Sequence, residues 1–395
     1  MPTVRLLLVA ALCALVSPQL LAATATSVQA PAAVQQTAAP ARMDEAKVKD
    51  WLARWDKGLV GDAGNRYCDK SLGEEVGWEM TPFMDGFYYG YMATHDTKWI
   101  DRLADWADSW IKRAVKEPDG VPGWPKAGAA GTDVDQLNQY NADSLLGEAM
   151  VLRPLVLMAA EIAKSPALQE KYGARFQGYL KLSGQIFDKW DARGAWRETK
   201  GGGAITVVLP FGIGPDGKWT AGYETRNAPG QGFSHPDNKA NLVARWLLAM
   251  SDATHKPVYK DRAEKWFKLM KSRMQLKADG TFDIWNYWQP AGPWDFKPDG
   301  QPKHWIGVHP NAGYYETDLW GMVDAYEHGL VFTKADLDHL VATGLTAKRY
   351  WEALAPYSRE IQSKFEETTK PDSWGGHAAA AWYLMLQADL RRAAK

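Results

Sequence analysis

Apolar residues recur at helical spacing along almost the whole chain, and this periodicity limits the possible folds more than any other feature. In MDEAKVKDWLARWDKGL (residues 43–59), Val48, Trp51, Leu52 and Trp55 fall on one helical face. WIDRLADWADSWIKRAV (99–115) repeats the pattern with Ile100, Leu103, Trp106 and Trp110. NADSLLGEAMVLRPLVLMAAEIAK (141–164) predicts a long apolar helix with Pro154 as a kink. Further helices fit 166–190, 238–252, 257–275, 312–329, 333–349 and 373–393, with one more opening near Pro82. Two Gly-, Pro- and Trp-rich stretches, 194–233 and 278–307, break the pattern and predict long aromatic loops, the first with a small β hairpin. Helical hairpins without a fixed-length repeat predict an all-α fold, an α/α toroid or incomplete barrel rather than a solenoid. In such a toroid, loops at one end line a cleft.

The N-terminus carries Arg5, the apolar run LLLVAALCALV and the small-x-small triplet Ala23-Thr24-Ala25. These predict a signal peptide over 1–25 and export to the periplasm or beyond. The run is too short to span a bilayer. The Ala/Pro/Gln-rich residues 26–42 predict a disordered spacer, and 43–395 a single toroid domain. Cys13 leaves with the signal, so Cys68 has no disulfide partner and no CxxC metal site exists. A net charge of −1 argues against a nucleic-acid binder. The mature protein is expected to be a monomer without membrane insertion, cofactor or metal. Its 20 Trp, 16 Tyr and 11 Phe point instead to a sugar, because flat rings with a polar handle stack on sugar faces.

Three helices open with an asparagine-bearing turn: QLNQYNADSLLGEAM (136–150), GFSHPDNKANLVARWLLAM (232–250) and GVHPNAGYYETDLWGM (307–322). Asn141, Asn238 and Asn311 each fit a helix N-cap. By helical phase Tyr315 joins Leu319, Met322, Val323 and Tyr326 on the core stripe. Tyr314 lies about 100° away, with Asp318 and Gly321, where it is freer to face a cavity. Asn241 and Arg245 share a face, with Asn238 one turn earlier; an amide and a guanidinium so placed grip a carboxylate, unless the arginine is tied to a nearby Asp. His, Asn, Arg and Tyr without a metal cluster fit β-elimination of a uronic-acid polymer. Donors neutralise the sugar carboxylate as charge develops, a base takes the C5 proton, and an acid protonates O4. In glucuronate and mannuronate both lie on one ring face, so one Tyr can serve twice; guluronate needs a separate base such as His.

The blocks SHPDNKANLVARW and HPNAGYY resemble the α/α-toroid polysaccharide lyases that cleave alginate and glucuronan. In these enzymes Asn and His near the start of an inner helix, with a later Tyr, form the active site. The Asn-Asn-His-Ser-Tyr-Trp pattern of the best-known alginate lyases is absent, which points to a more divergent group such as polysaccharide lyase family 38. The resemblance implies Tyr314 as base and acid, with His235 assisting or acting on the opposite face. Asn238, Asn241 and Arg245 neutralise the carboxylate, with His309 a further candidate. Arg226 would hold a second uronate, Asn138 and Tyr315 would add to the cleft, and Trp285, Trp288 and Trp294 would be sugar platforms. His95, His255, His328, His339 and His377 are expected in packing or surface roles. Two rivals remain. A glycoside hydrolase would need two flanking carboxylates, and Asp133, Asp135, Asp143 and Glu224 form no diagnostic pair. A non-catalytic sugar-binding protein would need only the aromatic loops.

Overall fold

The computed structural model describes residues 40–126, 142–214, 216–221 and 232–393. The expected signal peptide and most of the spacer lie outside these residues, as do Asp133, Asp135, Asn138, Asn141, Glu224 and Arg226. The chain is already part of the fold at Ala41, whose N–H donates to Gln362 Oε1 (2.8 Å) and whose carbonyl accepts from Gln362 Nε2 (2.8 Å).

Outer and inner helices alternate along the described chain. The outer ones are α1 (Glu45–Asp62), α3 (Lys98–Lys112), α5 (Pro166–Ala192), α7 (Pro257–Ser272), α9 (Lys334–Thr346) and α10 (Arg359–Thr368). The inner ones are α2 (Glu75–Thr94), α4 (Leu145–Ala163), α6 (Asp237–Thr254), α8 (Gly313–Glu327) and α11 (His377–Arg392). Between α9 and α10 the inner position is filled by a single 3-10 segment, Glu352–Tyr357. Each inner helix packs on its inner neighbours, and α11 closes the ring onto α2. The inner helices run in one direction. Lys239 at the start of α6 meets Glu74 just before α2, while Asp252 near the end of α6 meets His328 just after α8.

Local sequence explains much of this. Asp44 caps α1 by accepting from Ala46 and Lys47 N–H, Ser144 caps α4, and Thr333 with Asp336 forms a capping box on α9. On α3 the apolar face Trp99, Ile100, Leu103, Trp106 and Trp110 is buried, as its spacing predicts. Three expectations are corrected. Pro82 lies inside α2, which already begins at Glu75. The short helix α10 was absent from the periodicity reading, and the first loop holds two hairpins rather than one. These are β3 (Trp196–Thr199) with β4 (Gly202–Ile205), and β5 (Phe211–Ile213) with β6 (Trp219–Ala221), after an earlier pair β1 (Val115–Lys116) with β2 (Pro122–Gly123). Among the described residues no helix is long and apolar enough to cross a membrane.

A buried charge nest anchors the start of α4. Lys189 Nζ lies 2.5 Å from Asp143 and 2.6 Å from Glu148, and Arg193 lies 2.6 Å from Glu117. Burial pushes Glu148 well above the usual carboxylate range, and Glu117 up to about 7. Burial also works against ionised Asp143, but Lys189 outweighs it and holds that carboxyl below its ordinary value.

Candidate active site

The starts of α2, α4, α6 and α8 converge on one mouth of the ring, and the lead-in to α6 is its most constrained part. Ser234 N–H and Oγ donate to Asp295 at 2.6 and 2.9 Å, Trp288 Nε1 donates to Ser234 O (2.8 Å), and His235 N–H donates to Ile205 O (2.8 Å). Pro236 then stands at the N-cap with no side-chain bond to offer the helix. Asp237 turns outward to Arg273 at 2.7 Å.

Three side chains follow on this base. Asn238 is 1 % exposed, and neither its Oδ1 nor its Nδ2 has a partner among the described residues. It is therefore not the N-cap it resembled in sequence. Nδ1 of buried His235 is likewise unpartnered. Lys239 Nζ binds Glu74 Oε1 at 2.6 Å, and Trp78 Nε1 donates to the same oxygen at 3.2 Å. Burial, then the Lys239 charge, lowers the His235 pKa to about 4 against the opposing pull of Glu74, so its ring is neutral near pH 7. Unpartnered buried polar atoms cost about 1–3 kcal/mol each. A cavity of about 20 Å³ beside His235 is lined by Glu74, Asp143, Ser144 and Trp190 among others.

The α8 side supplies rings. Tyr314 is half-buried, stacks on Tyr287 (5.3 Å, 26°) and meets His309 at 4.5 Å. Tyr287 in turn stacks under Trp305 (5.7 Å, 16°), which is 46 % exposed. Burial raises the Tyr287 pKa above its ordinary value, so its hydroxyl stays protonated. His309 Nδ1 accepts from Asn311 N–H at 3.0 Å. The Tyr287 carbonyl accepts from Asp237 N–H (3.1 Å), so one loop residue joins the α6 and α8 sides of the mouth. Asn311 Oδ1 accepts from Gly313 N–H at 3.0 Å in a turn just ahead of α8, but the N-cap itself is Ala312, so Asn311 is not the cap expected of it.

Several expected site residues belong elsewhere. Asn241 is fully buried between helices: Nδ2 donates to Asp318 Oδ1 (2.7 Å) and Oδ1 accepts from Trp266 Nε1 (2.8 Å). Gly321 permits this, since a Cβ there would lie 2.8 Å from Asn241 Oδ1. The Asp318 and Gly321 part of that face thus packs on α6 instead of opening into a cavity, while Tyr314, one turn earlier, stays with the rings of the mouth. Arg245 lies deeper still, its Nε 2.6 Å from Asp324; the ion-pair alternative holds. Tyr315 is core, its hydroxyl accepting from His309 N–H (2.8 Å) and donating to Trp285 O (3.1 Å).

The three proposed platforms are built in by their indole N–H groups. Trp285 donates to Asp318 (2.8 Å), Trp288 is 0 % exposed, and Trp294 donates to Ser234 Oγ (3.0 Å). The exposed ring of the mouth is Trp305. Sequence reading passed over it, and over Glu74, Lys239 and Tyr287. A lysine inside the apolar inner-helix block NKANLVARW was the available signal for Lys239; Glu74 had none.

No family model matches the chain, and no curated protein does. Solved structures do. A family 76 glycoside hydrolase (mannosidase) from Bacteroides thetaiotaomicron aligns at TM-score 0.51 and 11 % identity, over 88 % of this chain and 100 % of its own. The fold is an α/α toroid. A second family 76 glycoside hydrolase, from a bovine Bacteroides thetaiotaomicron strain, aligns at TM-score 0.47 and 10 % identity, over 89 % of this chain and 79 % of its own. An unsaturated glucuronyl hydrolase from Streptococcus agalactiae aligns at 0.44 and 12 %, over 88 % and 81 %. At such identities the likeness is one of fold, and all three carry the name of hydrolase rather than lyase.

Proposed function

We propose that this toroid is an enzyme that cleaves an acidic polysaccharide at the mouth formed by the inner-helix starts. The observation that carries this reading is the trio at the start of α6: buried His235 with Nδ1 unpartnered and buried Asn238 with both amide atoms unpartnered, beside Lys239. A uronate carboxylate would supply an acceptor for Asn238 Nδ2, and a sugar hydroxyl a donor for its Oδ1. For the chemistry, the mouth's side chains favour β-elimination. Asn238 and Lys239 withdraw charge from the carboxylate, and neutral His235 stands ready to donate or accept. Tyr314, held between Tyr287 and His309, takes the C5 proton and returns it to O4 of the leaving sugar. Trp305 gives the polymer an exposed stacking surface at the rim.

Hydrolysis is the second reading, and the likeness in fold favours it, because the aligned toroid is named a mannosidase. Glu74 and Asp143 reach one cavity from the starts of adjacent inner helices and are the carboxylates it would use. Both are ion-paired to buried lysines, at 2.6 and 2.5 Å, and Lys189 holds Asp143 below its ordinary pKa, which works against Asp143 as the protonated acid that hydrolysis needs.

Incubation with glucuronan, polymannuronate, polyguluronate and polymannose, following ultraviolet absorbance and reducing ends together, separates the readings. Elimination raises both, because it leaves a double bond conjugated to the carboxylate. Hydrolysis raises reducing ends alone. Cleavage of the neutral polymer alone would remove the acidic-substrate reading, and no cleavage of any polymer would remove the enzyme.

A further inference from the structure

The toroid has a second polar cavity, on its axis at the end opposite the mouth, about 180 Å³ in volume. A cavity of about 150 Å³ admits a single six-membered ring. Its floor holds two arginines. Arg153 and Arg245 are 7 % and 8 % exposed and share Asp324, at 3.7 and 2.6 Å. Arg153 Nε has no partner among the described residues, and the hydrogen bond of Arg245 to protein runs from its Nε alone. Asp85 lies 3.3 Å from Arg153, and burial raises its pKa above the ordinary value. The walls are rings: Tyr88, Tyr89, Trp320 and Trp382, with Trp320 and Trp382 edge to face at 4.5 Å. At the rim, Glu327 and the Asp252–His328 pair offer acceptors.

We propose that this axial cavity binds one uronic-acid monosaccharide, its carboxylate on the free N–H groups of Arg153 and Arg245, its ring against Trp320 and Trp382, and its hydroxyls on Glu327 and Asp252. The acid follows from the arginines and the sugar from the aromatic walls, independently of the chemistry of the mouth. Arginine recognises a carboxylate by paired hydrogen bonds, and aromatic walls exclude water around the sugar ring.

The test is titration with D-glucuronate, read by tryptophan fluorescence and calorimetry, with D-glucose as the neutral control. Asn238→Ala first silences the mouth. In that protein, glucuronate is expected to bind at one site and glucose to bind far more weakly. Adding Met385→Trp, which fills the rim of the cavity without touching an ion pair, should weaken glucuronate binding about tenfold or more. Arg245→Gln should do the same if it folds, through loss of a charge-assisted contact. Equal binding of glucose and glucuronate, or binding unchanged by Met385→Trp, overturns the proposal. So does loss of all glucuronate binding in Asn238→Ala alone, a result that leaves the reading of the mouth standing.

Discussion

The first and second turns of α6 contain asparagines one turn apart and equally buried, yet the two turns do opposite work. Asn238, 1 % exposed, has neither amide atom satisfied among the described residues; Asn241, 0 % exposed, bonds Asp318 and Trp266 and lies against Met270. Burial alone therefore does not tell a structural amide from a binding one. The informative quantity is the unmet hydrogen-bonding capacity of each buried group. The first turn leaves its amide unpaired among the described residues, and the second has spent its own on holding α6, α7 and α8 together.

The contrast breaks most directly at Asn238. Asn238→Ala should lower kcat by about 10²–10³-fold, the usual cost of removing one donor from a developing anion, with the melting temperature unchanged or slightly raised. Full activity on a cleaved polymer, or unfolding, would erase the distinction. Asn241→Ala should do the reverse. It strands the Asp318 carboxylate and the Trp266 N–H, for a loss of roughly 2–4 kcal/mol in urea unfolding, and specific activity per folded molecule should be retained.

His235 sharpens the comparison through pH. Its folded pKa is about 4 against 6.5 unperturbed, so the unfolded chain takes up a proton that the folded ring refuses. Its stabilising contribution is complete above pH 6.5 and is lost as pH falls towards 4. Relative to His235→Gln, the native protein should lose on the order of 3 kcal/mol across that window. A stability difference that is flat with pH contradicts the buried neutral ring. The smallest effect belongs to the rim. Trp305→Ala should raise KM about fivefold, near 1 kcal/mol of stacking, without moving the melting temperature. Trp288→Ala, by contrast, should act on stability first.

The fold was legible in the sequence wherever a helix buries one face. The Trp106 and Trp110 stripe, the assignment of Tyr315 to the core and the alternation of hairpins all follow from spacing of three and four residues. Pro82 misled, because a proline in the third turn of α2 reads locally as a helix start. The 3-10 segment at Glu352–Tyr357, with Pro356 inside it, is too short to show a period. For the site, the blocks around His235 and Tyr314 were found as segments, but their members were not sorted. Asn241 and Arg245 share a helix with Asn238 but sit one and two turns further from its mouth.

Local pattern by itself determined which residues form helices and which helical faces are apolar, because those interactions lie within one or two turns of the chain. Only the tertiary structure decided which polar groups are left without partners. The partners of Asn241 lie 25 and 77 residues away, and Lys239 meets Glu74 across 165 residues. The pairing that makes one asparagine structural and leaves its neighbour unpaired is therefore set by the closing of the ring and by no local pattern.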